Sequence, residues 1–118
     1  MRIWILTSGF RDLEAGRRFY ERQAECLGEH FLTCLYLDID RLKSCAGIHR
    51  KVFGYHRLLS KRFPFAIYYQ LRMDEVIVHR VLDCRQDPRR LAAALRDTYD
   101  ARQQVASAEP PNPTCSPT

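Results

Sequence analysis

The chain has 118 residues, 46% of them apolar and 28% charged, and a formal net charge of +5. That length supports one domain around a single core and is too short for two. No stretch approaches the roughly 20 consecutive apolar residues of a membrane-spanning helix, and five cysteines without a C-x-x-C pair make no disulfide framework, so membrane-protein and disulfide-stapled readings are set aside.

Arg2 to Leu6 (RIWIL) is short, branched and aromatic and predicts a first strand, with Thr7 or Ser8 placed to cap a following helix. From Phe10 to about Ala24 the apolar or small residues Phe10, Leu13, Gly16, Tyr20 and Ala24 recur at three and four, the mark of a helix with one buried face. After a break at Glu25 to Gly28, Leu27, Phe31, Leu35, Ile39, Leu42 and Ala46 repeat that spacing up to Gly47, a good left-handed cap. Two such helices on a short connection predict an antiparallel hairpin that needs an apolar surface to lie on. Cys26, His30 and Cys34 stand four apart and would drift only modestly around one helix face. Structural zinc wants four ligands and no fourth stands near, so we expect no metal and no cofactor, and reduced thiols used mostly as small apolar fillers.

Tyr55 to Leu59 and Phe65 to Leu71 are rich in aromatic and branched residues and predict two strands. Pro64 lacks an N–H and disfavours helical geometry at Phe63, so the chain turns between them. Met73-Asp74 is a second turn, and Glu75 to Cys84 a further strand, which completes a three-stranded meander whose edge the first strand can join. Asp87-Pro88 is a helix start, a capping carboxylate followed by proline at the first helical position, and the helix should run to about Gln104. The expected fold is α+β: an N-terminal strand, an antiparallel α-helical hairpin, a three-stranded antiparallel meander completing one small sheet, and a short C-terminal helix. This domain spans residues 1–104, and the tail 105–118, which holds four of the six prolines, is expected to be disordered. With no export signal in the sequence given, the expected compartment is the cytoplasm.

Charge is unevenly distributed. Residues 50–90 hold ten Lys/Arg against four Asp/Glu, whereas residues 10–44 hold six against seven. A basic sheet on a near-neutral helical layer points to an anionic partner, nucleic acid or an acidic protein segment. The candidate binding residues are Arg57, Lys61, Arg62, Arg85, Arg89 and Arg90. Arg57 and Lys61 are four apart, which at a strand period of two puts them on one side, with Arg85 approaching from the neighbouring strand's end. Arg89 and Arg90 oppose the dipole of the helix they open, which favours binding over a purely structural use. Tyr68 and Tyr69 point to opposite faces. His79 lies inside an apolar strand and reads as a core imidazole, while alternation leaves His56 more exposed.

Two blocks carry a family resemblance. Gly54-Tyr55-His56-Arg57-Leu58-Leu59-Ser60-Lys61-Arg62-Phe63-Pro64-Phe65-Ala66-Ile67-Tyr68-Tyr69 is similar to G-Y-R-R-x-L-x-x-R-F-P-Y-x-I-Y-Y. Val81-Leu82-Asp83-Cys84-Arg85-Gln86-Asp87-Pro88-Arg89-Arg90-Leu91 is similar to V-x-H-x-R-R-D-P-R-R-W. With the order of elements, these motifs resemble the RelE/ParE superfamily of type II toxin–antitoxin toxins over roughly residues 2 to 96, the helical hairpin matching in pattern alone. The resemblance implies a toxin neutralised by a cognate antitoxin. Its target is DNA gyrase in the ParE-like branch, or mRNA on the ribosome for a RelE-type endoribonuclease, in which Arg57, Lys61 and Arg85 would stabilise charge at the scissile phosphate. Against the nuclease pattern, Ala66 stands where a strand-borne Arg is usual, Leu59 near the place of a further Lys, Asp83 at the usual His, and no acid or base adjoins the cations; Tyr99 sits farther along the last helix than that pattern requires. The ParE-like reading, a binder and not an enzyme, therefore leads, and a degenerate member that keeps only antitoxin binding is the remaining alternative.

Overall fold

The computed structural model describes residues 2–105, with side-chain surroundings to Arg96. In chain order the elements are β1 (Arg2–Ile5), α1 (Thr7–Glu21), α2 (Leu27–Asp40), α3 (Leu42–Cys45), β2 (Lys51–Val52), β3 (Tyr55–Leu59), β4 (Phe65–Arg72), β5 (Glu75–Asp83) and α4 (Pro88–Val105). The five strands form one sheet in the order β1-β5-β4-β3-β2. β3, β4 and β5 are the expected antiparallel meander, and β1 joins its edge parallel to β5. The proline-rich tail lies outside the described residues, as do Cys115 and the side chain of Tyr99.

Strand alternation gives the sheet two apolar faces. Ile3, Ile5, Leu58, Phe65, Ile67, Tyr69, Val76, Val78 and Val81 share a core with Leu13, Tyr20, Phe31, Leu35, Ile39 and Leu42 of the helical layer. On the other face Tyr55, Ala66, Tyr68 and Leu82 pack with Leu91 and Leu95 of α4. Tyr68 and Tyr69 thus fall on opposite faces, as alternation requires. The hairpin closes tightly because Gly16 leaves room for Phe31: a Cβ there would sit 2.5 Å from the ring. The α1–α2 connection is held by Glu21, whose carboxylate accepts from the backbone N–H of Cys26 and of Gly28.

Four details differ from the sequence reading. Neither Thr7 nor Ser8 caps α1; Leu6 is the cap residue, and the Ser8 hydroxyl instead donates to the carbonyl of His79. This serves the edge of β5 beyond the end of β1, where a backbone group would otherwise go unpaired. The second helix is broken after Asp40 into α2 and the one-turn α3, before Gly47 adopts the expected left-handed conformation. Residues Lys51–Val52, to which no element was assigned above, form a short strand joined to β3 through Phe53-Gly54. Finally, β5 carries a bulge: Tyr68 faces Arg80 and Tyr69 faces Val78, so His79 is the extra residue, fully buried with its ring 4.9 Å from that of Tyr55.

Both short hairpins place a large apolar residue in the left-handed region, Phe53 at φ 55° and Met73 at φ 52°. A side chain there crowds the backbone and costs about 1 kcal/mol per residue.

Candidate functional site: a basic corner of the sheet

Lys61 and Arg62 lie where β3 gives way to β4, Arg85, Arg89 and Arg90 where β5 gives way to α4, and Arg57 within β3. Phe63 fixes the first junction: its ring lies 4.8 Å from Tyr20, 5.2 Å from Phe31 and 5.7 Å from His30. The tight turn over Pro64 is closed by the Phe65 N–H donating to the Phe63 carbonyl at 2.7 Å, and the Cys84 N–H donates to the Pro64 carbonyl at 2.8 Å, tying the two junctions together. Because Phe63 is drawn inward, Lys61 and Arg62 beside it stay exposed, and neither makes an ion pair among the described residues.

The second junction is organised by two aspartates. Asp83 accepts from the backbone N–H of Arg85 at 2.8 Å and from its guanidinium at 3.0 and 2.7 Å. Arg85 holds the Asp83 carboxyl below the usual carboxylate range, and the arginine's own proton is held correspondingly tighter. Asp87 caps α4 as the sequence predicts, accepting from the Arg89 N–H at 2.8 Å, and also pairs with the Arg89 guanidinium at 3.4 Å. Arg90 is exposed and makes no ion pair among the described residues.

Arg57 and Arg85 are carried to opposite faces of the sheet. Arg57 stands opposite Tyr68, on the face of the sheet that packs against α4, and its charge opposes the rise that burial causes in the Cys84 thiol pKa. Burial raises the Tyr68 pKa, and Arg57 opposes that rise. Arg85 is held by Asp83, which lies on the opposite face beside Ala15, Gly16 and Phe19 of α1, and its charge acts on the Tyr20 hydroxyl there. The reason is local: β3 ends at Leu59, so strand alternation never extends to Lys61, and Asp83 captures Arg85 as the chain leaves β5. Arg57 on one face, Arg85 and Asp83 on the other, and the exposed Lys61, Arg62, Arg89 and Arg90 make a basic corner and not a closed phosphate pocket.

Two further clusters were not legible from spacing. Arg80 forms a two-point ion pair with Asp12 of α1, at 2.6 and 2.9 Å, and donates to the Ala94 carbonyl of α4, so it bridges both layers beside the corner. Asp12 also accepts from the Val81 N–H at 2.9 Å, on the open edge of β5. A charge inside an apolar strand is the one sequence signal for this; its partner lies 68 residues away. The second cluster sits on the helical face. His56, half-buried and not exposed as alternation suggested, stacks on Tyr69 at 5.1 Å and its Nδ1 meets the His49 carbonyl. The Tyr69 hydroxyl meets His49 Nδ1 and accepts from the Gly47 N–H at 2.9 Å. Burial, then His56, then Arg41 hold the His49 pKa below its ordinary value.

Cys26, exposed at the start of α2, is separated from Cys34, which is buried in the core with its sulfur 3.7 Å from His30 Nε2. Among the described residues no group of three or more metal-ligating side chains assembles. No described helix is long and apolar enough to cross a membrane.

No protein-family model matches the chain, and a search of curated proteins finds no match. Among solved structures the chain is similar to a chain of the chromosomal ParDE TA system from P. aeruginosa, with a TM-score of 0.59 and 20% sequence identity, covering 69% of this chain and 92% of that one. A likeness at that identity establishes architecture: the strand, helical hairpin and meander described above are the fold of that chain of the ParDE system.

Proposed function

We propose that this protein is the toxin of a type II toxin–antitoxin pair, of the ParE-like kind, acting in the cytoplasm. It arrests growth by binding DNA gyrase and is neutralised by a cognate antitoxin, which would let such a pair stabilise a plasmid. The fold likeness, spanning nearly all of a chain from a ParDE system, supports the toxin reading, as do the sequence motifs at the corner.

Binding is favoured over RNA cleavage by one observation: Arg57 lies on the sheet face covered by α4, while Asp83 holds Arg85 on the face covered by α1. Transition-state stabilisation needs charges preorganised around one phosphate, whereas a binding surface tolerates cations spread around an edge. Lys61, Arg62 and Arg90, exposed and unpaired among the described residues, meet the target first, with Arg85 and Arg89, each held by a neighbouring aspartate, and the half-buried Arg57 beside them. Purified protein added to a gyrase supercoiling assay should inhibit supercoiling or trap cleaved DNA. Unaffected supercoiling together with cut mRNA in a translation extract would move the assignment to the endoribonuclease, and growth unaffected by expression would leave antitoxin binding alone.

A further inference from the structure

Away from the corner, at the opposite end of the sheet, four large apolar side chains are exposed together. Phe53 is 47% exposed, Leu71 39%, Met73 97% and Ile48 76%. The strand register gathers them. His56 faces Tyr69, so the Phe53-Gly54 turn falls beside Leu71 and Arg72, while Met73 opens the adjoining β4–β5 turn. Ile48 follows Gly47, where an added Cβ would sit 3.2 Å from the Leu71 side chain.

The turn chemistry argues that these residues are kept for a reason. A two-residue turn with both residues at positive φ, as at Phe53-Gly54, favours Asn or Asp in the first place. Met73-Asp74, with positive φ at its first residue alone, favours Gly there. Each hairpin instead holds a bulky apolar side chain in the left-handed region, and points it at solvent. Backbone strain that packing does not explain is characteristic of binding surfaces, and contiguous exposed apolar residues mark interaction sites.

The charge beside the tips defines the occupant. Arg50, Lys51 and Arg72 are exposed and make no ion pair among the described residues. We infer that the two hairpin tips and Ile48 form a second docking surface, which takes an acidic amphipathic segment of a partner protein: its apolar side chains meet Phe53, Leu71, Met73 and Ile48, and its carboxylates meet Arg50, Lys51 and Arg72. An anionic lipid surface fits less well, because the exposed Asp74 carboxylate sits beside Met73 at the tip and would be driven against like charge. A protein partner accommodates it in a polar rim. This surface goes beyond the toxin reading and holds whichever target the basic corner takes.

The test uses the full chain and a fluorescein-labelled synthetic amphipathic helix with leucines on one face and glutamates on the other, beside a counterpart with lysine for each glutamate. The acidic peptide should bind, the basic one should not, and binding should weaken with salt. Phe53→Asn with Met73→Gly should lower affinity by about tenfold or more while raising the melting temperature, because both changes relieve strained turns. Arg50→Gln, Lys51→Gln and Arg72→Gln together should lower affinity and flatten its salt dependence. Failure of the acidic peptide to bind, equal binding of both peptides, or unchanged affinity in the Phe53/Met73 variant would overturn the inference. So would Met73-dependent cosedimentation with phosphatidylglycerol vesicles. Each readout is independent of gyrase, so the inference and the toxin proposal fail separately.

Discussion

The two ends of the sheet both present cations unpaired among the described residues, Lys61, Arg62 and Arg90 at the corner and Arg50, Lys51 and Arg72 at the tips, but on different backbones. At the corner two of the cations are held by neighbours in the chain, Arg85 by Asp83 and Arg89 by Asp87, and the backbone is pinned by Phe63, Pro64 and the α4 cap. At the hairpin tips Arg50, Lys51 and Arg72 make no such pairs, and the backbone is strained at Phe53 and Met73 instead of relaxed. One end sets its cations on a pinned, relaxed backbone, which in the proposed function meets the target. The other keeps apolar side chains in solvent at the expense of stability, which is the mark of a contact made with something else.

The largest effect that would break this contrast lies in the strut beside the corner. Asp12→Ala removes both bonds that Arg80 makes to α1 and the acceptor for the Val81 N–H, leaving a part-buried guanidinium without its carboxylate. Urea unfolding should show a loss of about 2–3 kcal/mol, and a loss below about 1 kcal/mol would mean that α1 and α4 hold the corner without it. Next comes Lys61→Gln with Arg62→Gln and Arg90→Gln, all exposed: target binding should fall by about tenfold or more with the melting temperature nearly unchanged. An unfolded variant would contradict the placement of these residues outside the packed structure.

A pH titration sharpens the comparison on the helical face. His49 has its pKa held below 6.5, so the folded protein keeps it neutral where the unfolded chain already takes up a proton. Its contribution is therefore constant above 6.5, falls as pH drops through that value, and levels off once the folded imidazole is also protonated. His49→Gln should flatten that fall in melting temperature between neutral and mildly acidic pH. A fall of the same size in the variant would place the titration elsewhere. The smallest effect belongs to the tips, where Phe53→Asn alone should add about 0.5–1 kcal/mol. A loss of stability would show that Phe53 is packed and not strained.

The local half of this structure was legible in the sequence. Alternation and helical spacing identify β1, β3, β4, β5 and the helical hairpin, and Asp87-Pro88 announces α4, because each signal is confined to a few adjacent residues. β2 was missed because two residues carry no periodicity, and Phe53-Gly54 lacks the usual Asn-Gly or Asp-Gly of a tight turn. The bulge at His79 changes register without changing composition. At the corner, residue types gave the collection of cations but not its geometry: Arg57 and Arg85 part because the Asp83–Arg85 pair and the end of β3 redirect them, and no spacing rule contains either fact.

In the function proposed above the corner, and not the hairpin tips, is the inhibitory surface. The most direct measurement is gyrase supercoiling titrated with three proteins: the native chain, the Lys61/Arg62/Arg90 glutamine variant and the Phe53→Asn/Met73→Gly variant. Inhibition is expected from the native chain and from the tip variant, with its loss in the corner variant at equal folded concentration. Inhibition that survives in the corner variant and disappears in the tip variant would contradict that assignment.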